Sequence, residues 1–113
     1  MRTHSTSGSV IEHRFKERKP LHLDVVIYRN HIPVAVGKTR DIGTGGMGIV
    51  SDITNLKDYA VLEVEIGVNQ ASRRMYYRLS GLVTHHGNNS FGITFTDLDA
   101  TEMEILLQLM EPK

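Results

Sequence analysis

The sequence predicts an all-β domain with one C-terminal α-helix, built as a small barrel or sandwich. Three observations carry that expectation. Short apolar runs with a two-residue period recur from Leu21 to Phe95, separated by turn residues. A helical period emerges only after Asp99. Within the alternating stretch, four glycines (43, 45, 46 and 48) crowd into Gly43–Gly48, directly behind the pair Arg40-Asp41. Glycine reaches positive φ and lets other groups approach its backbone closely, at an entropic cost on folding. Repeating that cost four times predicts a tight turn, a ligand contact, or both.

In chain order, Met1–Val10 is polar, rich in Ser and Thr and without periodicity, so residues 1–11 are expected to be a disordered lead-in to one domain over 12–113. A mixed-charge segment then runs to Pro20, which disfavours helix beyond it. Within it Arg14 and Arg18, four apart, share a face of one helical turn, or converge on one anion from an extended chain. Leu21–Tyr28 alternates, with Leu21, Leu23, Val25 and Ile27 on one side, and reads as a half-buried strand. Arg29-Asn30-His31 is its turn and Ile32–Thr39 the return strand, with Pro33 at its start or on an edge. Met47–Val50 is a short strand, and Ser51–Asp58 a loop or single helical turn. Val61–Ile66 is a strand with Gly67–Gln70 as its turn. Arg73–Thr84 is a long strand, bent at Gly81; His85–Asn89 turns and Ser90–Phe95 pairs back. At the end Asp99 caps a helix with Glu102 as its capping-box partner. Met103, Leu106, Leu107 and Met110 form its apolar face, widened by Ile105 and Leu109, to seal the barrel, pack on its flank or meet a second copy.

Composition narrows the function. The chain has 113 residues, 40% of them apolar, enough for one modest core without staples. Thirteen basic and 13 acidic side chains cancel, so any anion site is local rather than a whole-protein field. A nucleic-acid polymer and a membrane surface are not expected partners. With no cysteine and no long apolar run, a cytoplasmic location is expected.

The chemical motifs are few. Gly43–Gly48 matches G-x-G-x-x-G, but β-prone Ile49-Val50-Ser51 follows where a dinucleotide-binding unit needs a helix. Gly37-Lys38-Thr39 lacks the first glycine of a P-loop, because position 32 is Ile32. Histidines 4, 13, 22 and 31 recur at intervals of nine, which matches no metal-ligand spacing, and His85 and His86 would face opposite sides of a strand. No metal, cofactor or catalytic set is indicated, and an enzyme is not expected.

Arg14-x-x-x-Arg18, then Pro20 and an alternating strand, then Asp41-Ile42-Gly43-Thr44-Gly45-Gly46 after a hairpin, resembles the PilZ domain family. The strand Phe91–Phe95 and the terminal helix fit the same pattern, over about residues 12–110. The resemblance implies a six-stranded antiparallel PilZ-type barrel. It also implies that the chain binds the bacterial second messenger cyclic di-GMP through an R-x-x-x-R motif and a D/N-x-S-x-x-G motif. By that resemblance Arg14 and Arg18 grip phosphate and guanine, Asp41 orients a guanine, and Gly43 and Gly46 shape the turn. The family's serine is Gly43 here. A lost hydroxyl hydrogen bond costs about 0.5–1.5 kcal/mol, up to roughly tenfold in affinity. The implied mechanism is ligand ordering the arginine segment against the barrel, to be read by a partner protein, with the chain a monomer or weak dimer. The alternative is a PilZ-like adaptor whose ligand binding is weakened or lost.

Overall fold

The computed structural model describes residues 17–111. The expected lead-in and Arg14 lie outside them. Seven strands follow in order: β1 (Lys19–Pro20), β2 (Asp24–Arg29), β3 (Ile32–Ile42), β4 (Gly46–Ser51), β5 (Val61–Gln70), β6 (Arg73–Gly87) and β7 (Ser90–Phe95), then helix α1 (Ala100–Met110). The sheet order is β1-β3-β2-β5-β6-β7-β4, and pairing of β3 with β4 closes six strands into an antiparallel barrel. The two-residue β1 is an appendage on the end of β3, opposite Asp41 and Ile42. The expected six-stranded barrel with its terminal helix is what the chain forms.

Closure gives each strand one inward row, and inward rows of Val, Ile and Leu fill the barrel. Val25 and Ile27, Leu62, Val64 and Ile66, Leu79 and Val83, and Phe91 and Ile93 are all buried. The β5 row continues through Val68, so Gly67–Gln70 is strand and not the expected turn. The chain instead reverses at Ala71-Ser72, both at positive φ (47° and 69°). That is the geometry of a type I′ hairpin, whose usual Asn-Gly signal these residues lack. The expected turn at His85–Asn89 shortens to Asn88-Asn89, because β6 stays paired with β7 through Gly87. The irregularity in β6 falls between Val83 and His85, not at Gly81. Ser51 ends β4, and 52–57 form no helical turn.

Helix α1 begins as expected. The Asp99 carboxylate accepts from the Glu102 N–H at 2.7 Å, and Glu102 Oε1 accepts from the Asp99 N–H at 3.1 Å. Its buried residues are Ile105 and Leu106, while Leu107 is 52% exposed. The stripe thus centres one residue earlier than the expected face, because the helix meets the core from the β3 side.

The expected strand from Leu21 is interrupted, and Thr39 is the reason. This threonine is 1% exposed on β3. Its hydroxyl donates to the Leu21 carbonyl and accepts from the Leu23 N–H (2.8 Å). Its own N–H donates to the Leu23 carbonyl at 2.9 Å. One side chain therefore replaces a rung of the ladder and lets the chain bow between β1 and β2, which brings Arg18 alongside the end of β3. Thr39→Val keeps the volume but leaves two main-chain groups unpaired, at about 1–3 kcal/mol. We expect thermal melts to show a loss of roughly 5–20 °C and faster exchange of the Leu23 amide. An unchanged melting temperature would contradict this role.

Candidate ligand-binding site

A register shift in β3 builds the site. Thr39 pairs with Ile49 and Asp41 with Gly48, leaving Arg40 as the extra residue of a β-bulge. In an unbroken strand Thr39 and Asp41 would face the same way. The bulge sends Thr39 and Ile42 inward, where both are buried, and turns Asp41 outward beside Gly48. A carboxylate that simple alternation would drive into the core is thereby set on the barrel's outer surface.

Four groups converge there. Asp41 Oδ1 accepts from Arg18 Nη1 and from the Gly48 N–H, each at 3.0 Å. Asp41 Oδ2 accepts from Arg40 Nε at 3.3 Å. The Arg18 and Asp41 side chains retain 28% and 25% of their exposure, so the ion pair is half-buried and still reachable from solvent. Burial, the largest single influence on Asp41, pushes its pKa up. The hydrogen bond and charge of Arg18, joined by Arg40 and the Gly48 N–H, outweigh it, and the net shift is downward.

The glycines do not act through positive φ; none of those in the described residues adopts it. They act through close approach. A β-carbon on Gly43 would collide with the Glu17 carbonyl oxygen and lie 3.1 Å from Arg18 Cγ. On Gly46 it would collide with the Ile93 carbonyl and lie 3.2 Å from Arg18 Nη2. On Gly48 it would lie 2.6 Å from Arg40 Nη2, and on Gly92 it would strike the His85 ring. Gly48 and Gly92 are cross-strand partners on β4 and β7. Since Met47, Ile49, Phe91 and Ile93 point inward, the glycines between them form a flat outer floor. Arg18, Arg40 and His85 lie on that floor, two guanidinium planes and an imidazole beside one carboxylate.

Of the residues expected from sequence, the structure brings Arg18, Asp41, Gly43 and Gly46 together. Arg40 and Gly48 belong to the glycine-rich stretch but carried no assigned role, and His85 and Gly92 were not expected at the site. Arg40 sits in the same Arg-Asp-x-Gly run and was within reach of sequence reasoning; the pairing of Gly92 with Gly48 needed the register. A wider cleft of about 850 Å³ opens across the outer faces of β2 to β6. It meets the candidate site only at Arg40. No group of three or more metal-ligating side chains occurs among the described residues, and none of their helices is long and apolar enough to cross a membrane.

The PilZ domain profile matches residues 12–111, and the chain belongs to that family. PilZ domains are receptors for cyclic di-GMP and are binding domains, not catalysts. Similar solved structures include the PilZ domain of CeSA from a cellulose-synthesizing bacterium. Its TM-score is 0.63 at 17% identity, over 83% of this chain and 94% of that one. Another is the Inhibitor of motility (MotI/DgrA) of Bacillus subtilis, with a TM-score of 0.69 at 18% identity over 81% of this chain. The aligned region is 46% of that longer protein. At such identities the likeness is one of fold. No curated protein sequence matches the chain.

The space a side chain at Gly43 would need is already filled by the Glu17–Arg18 backbone. Gly43→Ser is therefore expected to push that segment off the floor and open the Arg18–Asp41 pair. The Asp41 pKa, read by carboxyl NMR, should rise toward the ordinary value of about 3.9. Because the folded pKa is depressed, Asp41 contributes stability that is present above that ordinary value. That contribution is lost as pH falls through the depressed one. Asp41→Asn should accordingly flatten the acid limb of the stability profile; an acid limb identical to wild type would exclude this contribution.

Proposed function

We propose that this chain is a cyclic di-GMP receptor whose ligand exchanges into the Arg18–Asp41 ion pair. The supporting observation is that pair, held at 3.0 Å on a glycine floor with Arg40 alongside. Cyclic di-GMP carries two phosphates and two guanines. A guanidinium suits a phosphate or the O6/N7 edge of guanine and also stacks on a base. An ionised carboxylate is acceptor-only and suits the N1–H and N2–H₂ edge of guanine. A ligand that offers anionic oxygens to Arg18 and donors to Asp41 re-pairs both charges at once, so opening the pair leaves neither stranded. Arg14, one helical turn before Arg18 in sequence, is assigned the second grip, and Gly43 and Gly46 keep the floor low enough for a flat base. Arg40 and His85 would flank it. The output is an ordered Glu17–Pro20 segment presented to a partner protein, and no bond is made or broken.

A second reading has one observation in its favour. The Glu17 carbonyl fills the space at Gly43 and Asp41 accepts from three protein donors, so the Glu17–Pro20 segment has its partners within the barrel, as a protein-binding adaptor would require.

Calorimetric titration of cyclic di-GMP separates the two. We expect saturable binding, weakened about tenfold to a hundredfold in Arg18→Ala and Asp41→Asn, which lose hydrogen bonds to charged groups. Wild-type protein giving neither heat nor NMR shifts at millimolar ligand would leave the adaptor reading.

A further inference from the structure

Strand β1 and the residue before it face two ways. The register sets Lys19 opposite Ile42 and Pro20 opposite Asp41, at the end of β3. Neighbouring side chains of an extended chain point to opposite sides. Arg18 turns to the glycine floor, where Nη1 donates to Asp41 Oδ1 at 3.0 Å. Lys19 turns the other way and reaches helix α1, where Nζ donates to the Glu111 carbonyl oxygen at 2.8 Å. Consecutive residues of one short segment therefore hold the candidate site and the end of the helix.

The helix end lacks what Lys19 supplies. The last carbonyls of an α-helix have no partner within it and carry the negative end of its dipole, which a nearby cation stabilises. Helix α1 has Glu102 in its first turn but no basic residue in its last. Its cap provides one bond, from the Glu111 N–H to the Gln108 carbonyl at 3.2 Å. Glu111 itself has left the helical conformation, at φ −66° and ψ 137°. Lys19, 92 positions away in sequence, brings the missing cation. The buried residues of α1 are Ile105 and Leu106, so the turn beyond them relies most on its cap.

We propose that Arg18–Pro20 is a strap coupling the Asp41 site to the last turn of α1, with Lys19 as its latch. For its ligand arm this rests on the exchange of cyclic di-GMP into the Arg18–Asp41 ion pair. At 3.0 Å the two side chains are in direct hydrogen-bond contact, with no space between them. A ligand that takes Arg18 shifts the strap, and Lys19 leaves Glu111 with it. The last turn of α1 then frays, which changes the surface from Leu107 to Glu111. By linkage, the closed latch opposes the ligand as strongly as the ligand opposes the latch.

The first test needs no ligand. Amide exchange at Leu107–Met110 is followed by NMR in the full wild-type chain, in Lys19→Met, in Asp41→Asn and in the double variant. Each single change should speed exchange severalfold, Asp41→Asn doing so from the barrel side of the strap. The double variant should exchange no faster than the faster single one, since both changes act on one contact. Lys19→Arg still donates to the carbonyl and should restore wild-type exchange. Wild-type exchange in Asp41→Asn, or effects of the two changes that simply multiply, would overturn the coupling and leave Lys19 a static cap. The second test is calorimetry. Cyclic di-GMP should bind Lys19→Met roughly twofold to fivefold more tightly than wild type, the strength of a charge at a helix end. Saturating ligand should speed exchange at Leu107–Met110 in the wild type and not in Lys19→Met. Equal affinities, or a helix end unmoved by bound ligand, would also overturn the proposal. Absence of any binding would defeat the receptor reading instead, while the ligand-free comparison still decides the strap.

Discussion

Everything at the candidate site depends on one extra residue in β3. Side chains alternate along a strand, so a run that must bury Thr39 and also Ile42, three positions later, cannot stay in register. The bulge at Arg40 resolves the conflict. Thr39 keeps its hydroxyl inside, where it carries the main chain of Leu21–Leu23. Ile42 returns to the core, and Asp41 is left outside with Arg40 against it. The same shift thus supports the fold, through a buried rung, and creates the surface carboxylate. An uninterrupted strand that kept Thr39 inside would have buried the Asp41 charge and exposed Ile42.

The second constraint is flatness. Gly46, Gly48 and Gly92 occupy outward positions where any β-carbon would displace Arg18, Arg40 or His85, or a neighbouring carbonyl. Glycine here weakens strand propensity and removes packing surface. What it gives in return is a seat for planar cations held close to the sheet, beside the acid that balances them. The depressed pKa of Asp41 follows from that crowding: burial works against ionisation, and the adjoining guanidinium groups and amide win. Gly43 belongs to the same logic, since it gives the crossing Glu17–Arg18 backbone its clearance.

Much of the architecture was legible in the sequence because it is written in local patterns. The two-residue period gave the strands, Asp99 with Glu102 the helix start, and the ordered Arg-x-x-x-Arg and Asp-Ile-Gly-Thr-Gly-Gly runs the family. What was missed depends on contacts distant along the chain. The Ala71-Ser72 reversal lacks the Asn-Gly or Asp-Gly signal of a two-residue hairpin, whereas Gly67 and Asn69 look like turn residues. The break after Pro20 is caused by Thr39, which nothing near Leu21 announces. Leu107 scores as core on a helical wheel, yet the direction from which α1 meets the barrel leaves it in water. At the site, Arg40 was visible but unremarkable until the bulge gave it an orientation. The pairing of Gly48 with Gly92 joins residues more than forty positions apart.

The account's central claim is that ligand enters by exchanging with the Arg18–Asp41 ion pair. The most direct measurement follows the Asp41 carboxyl carbon and the Arg18 guanidinium nitrogens by NMR while cyclic di-GMP is added. Both sets of signals should move together and saturate with the binding isotherm, as each charge leaves its partner for the ligand. Saturable binding that leaves both signals in place would put the ligand elsewhere and contradict the claim.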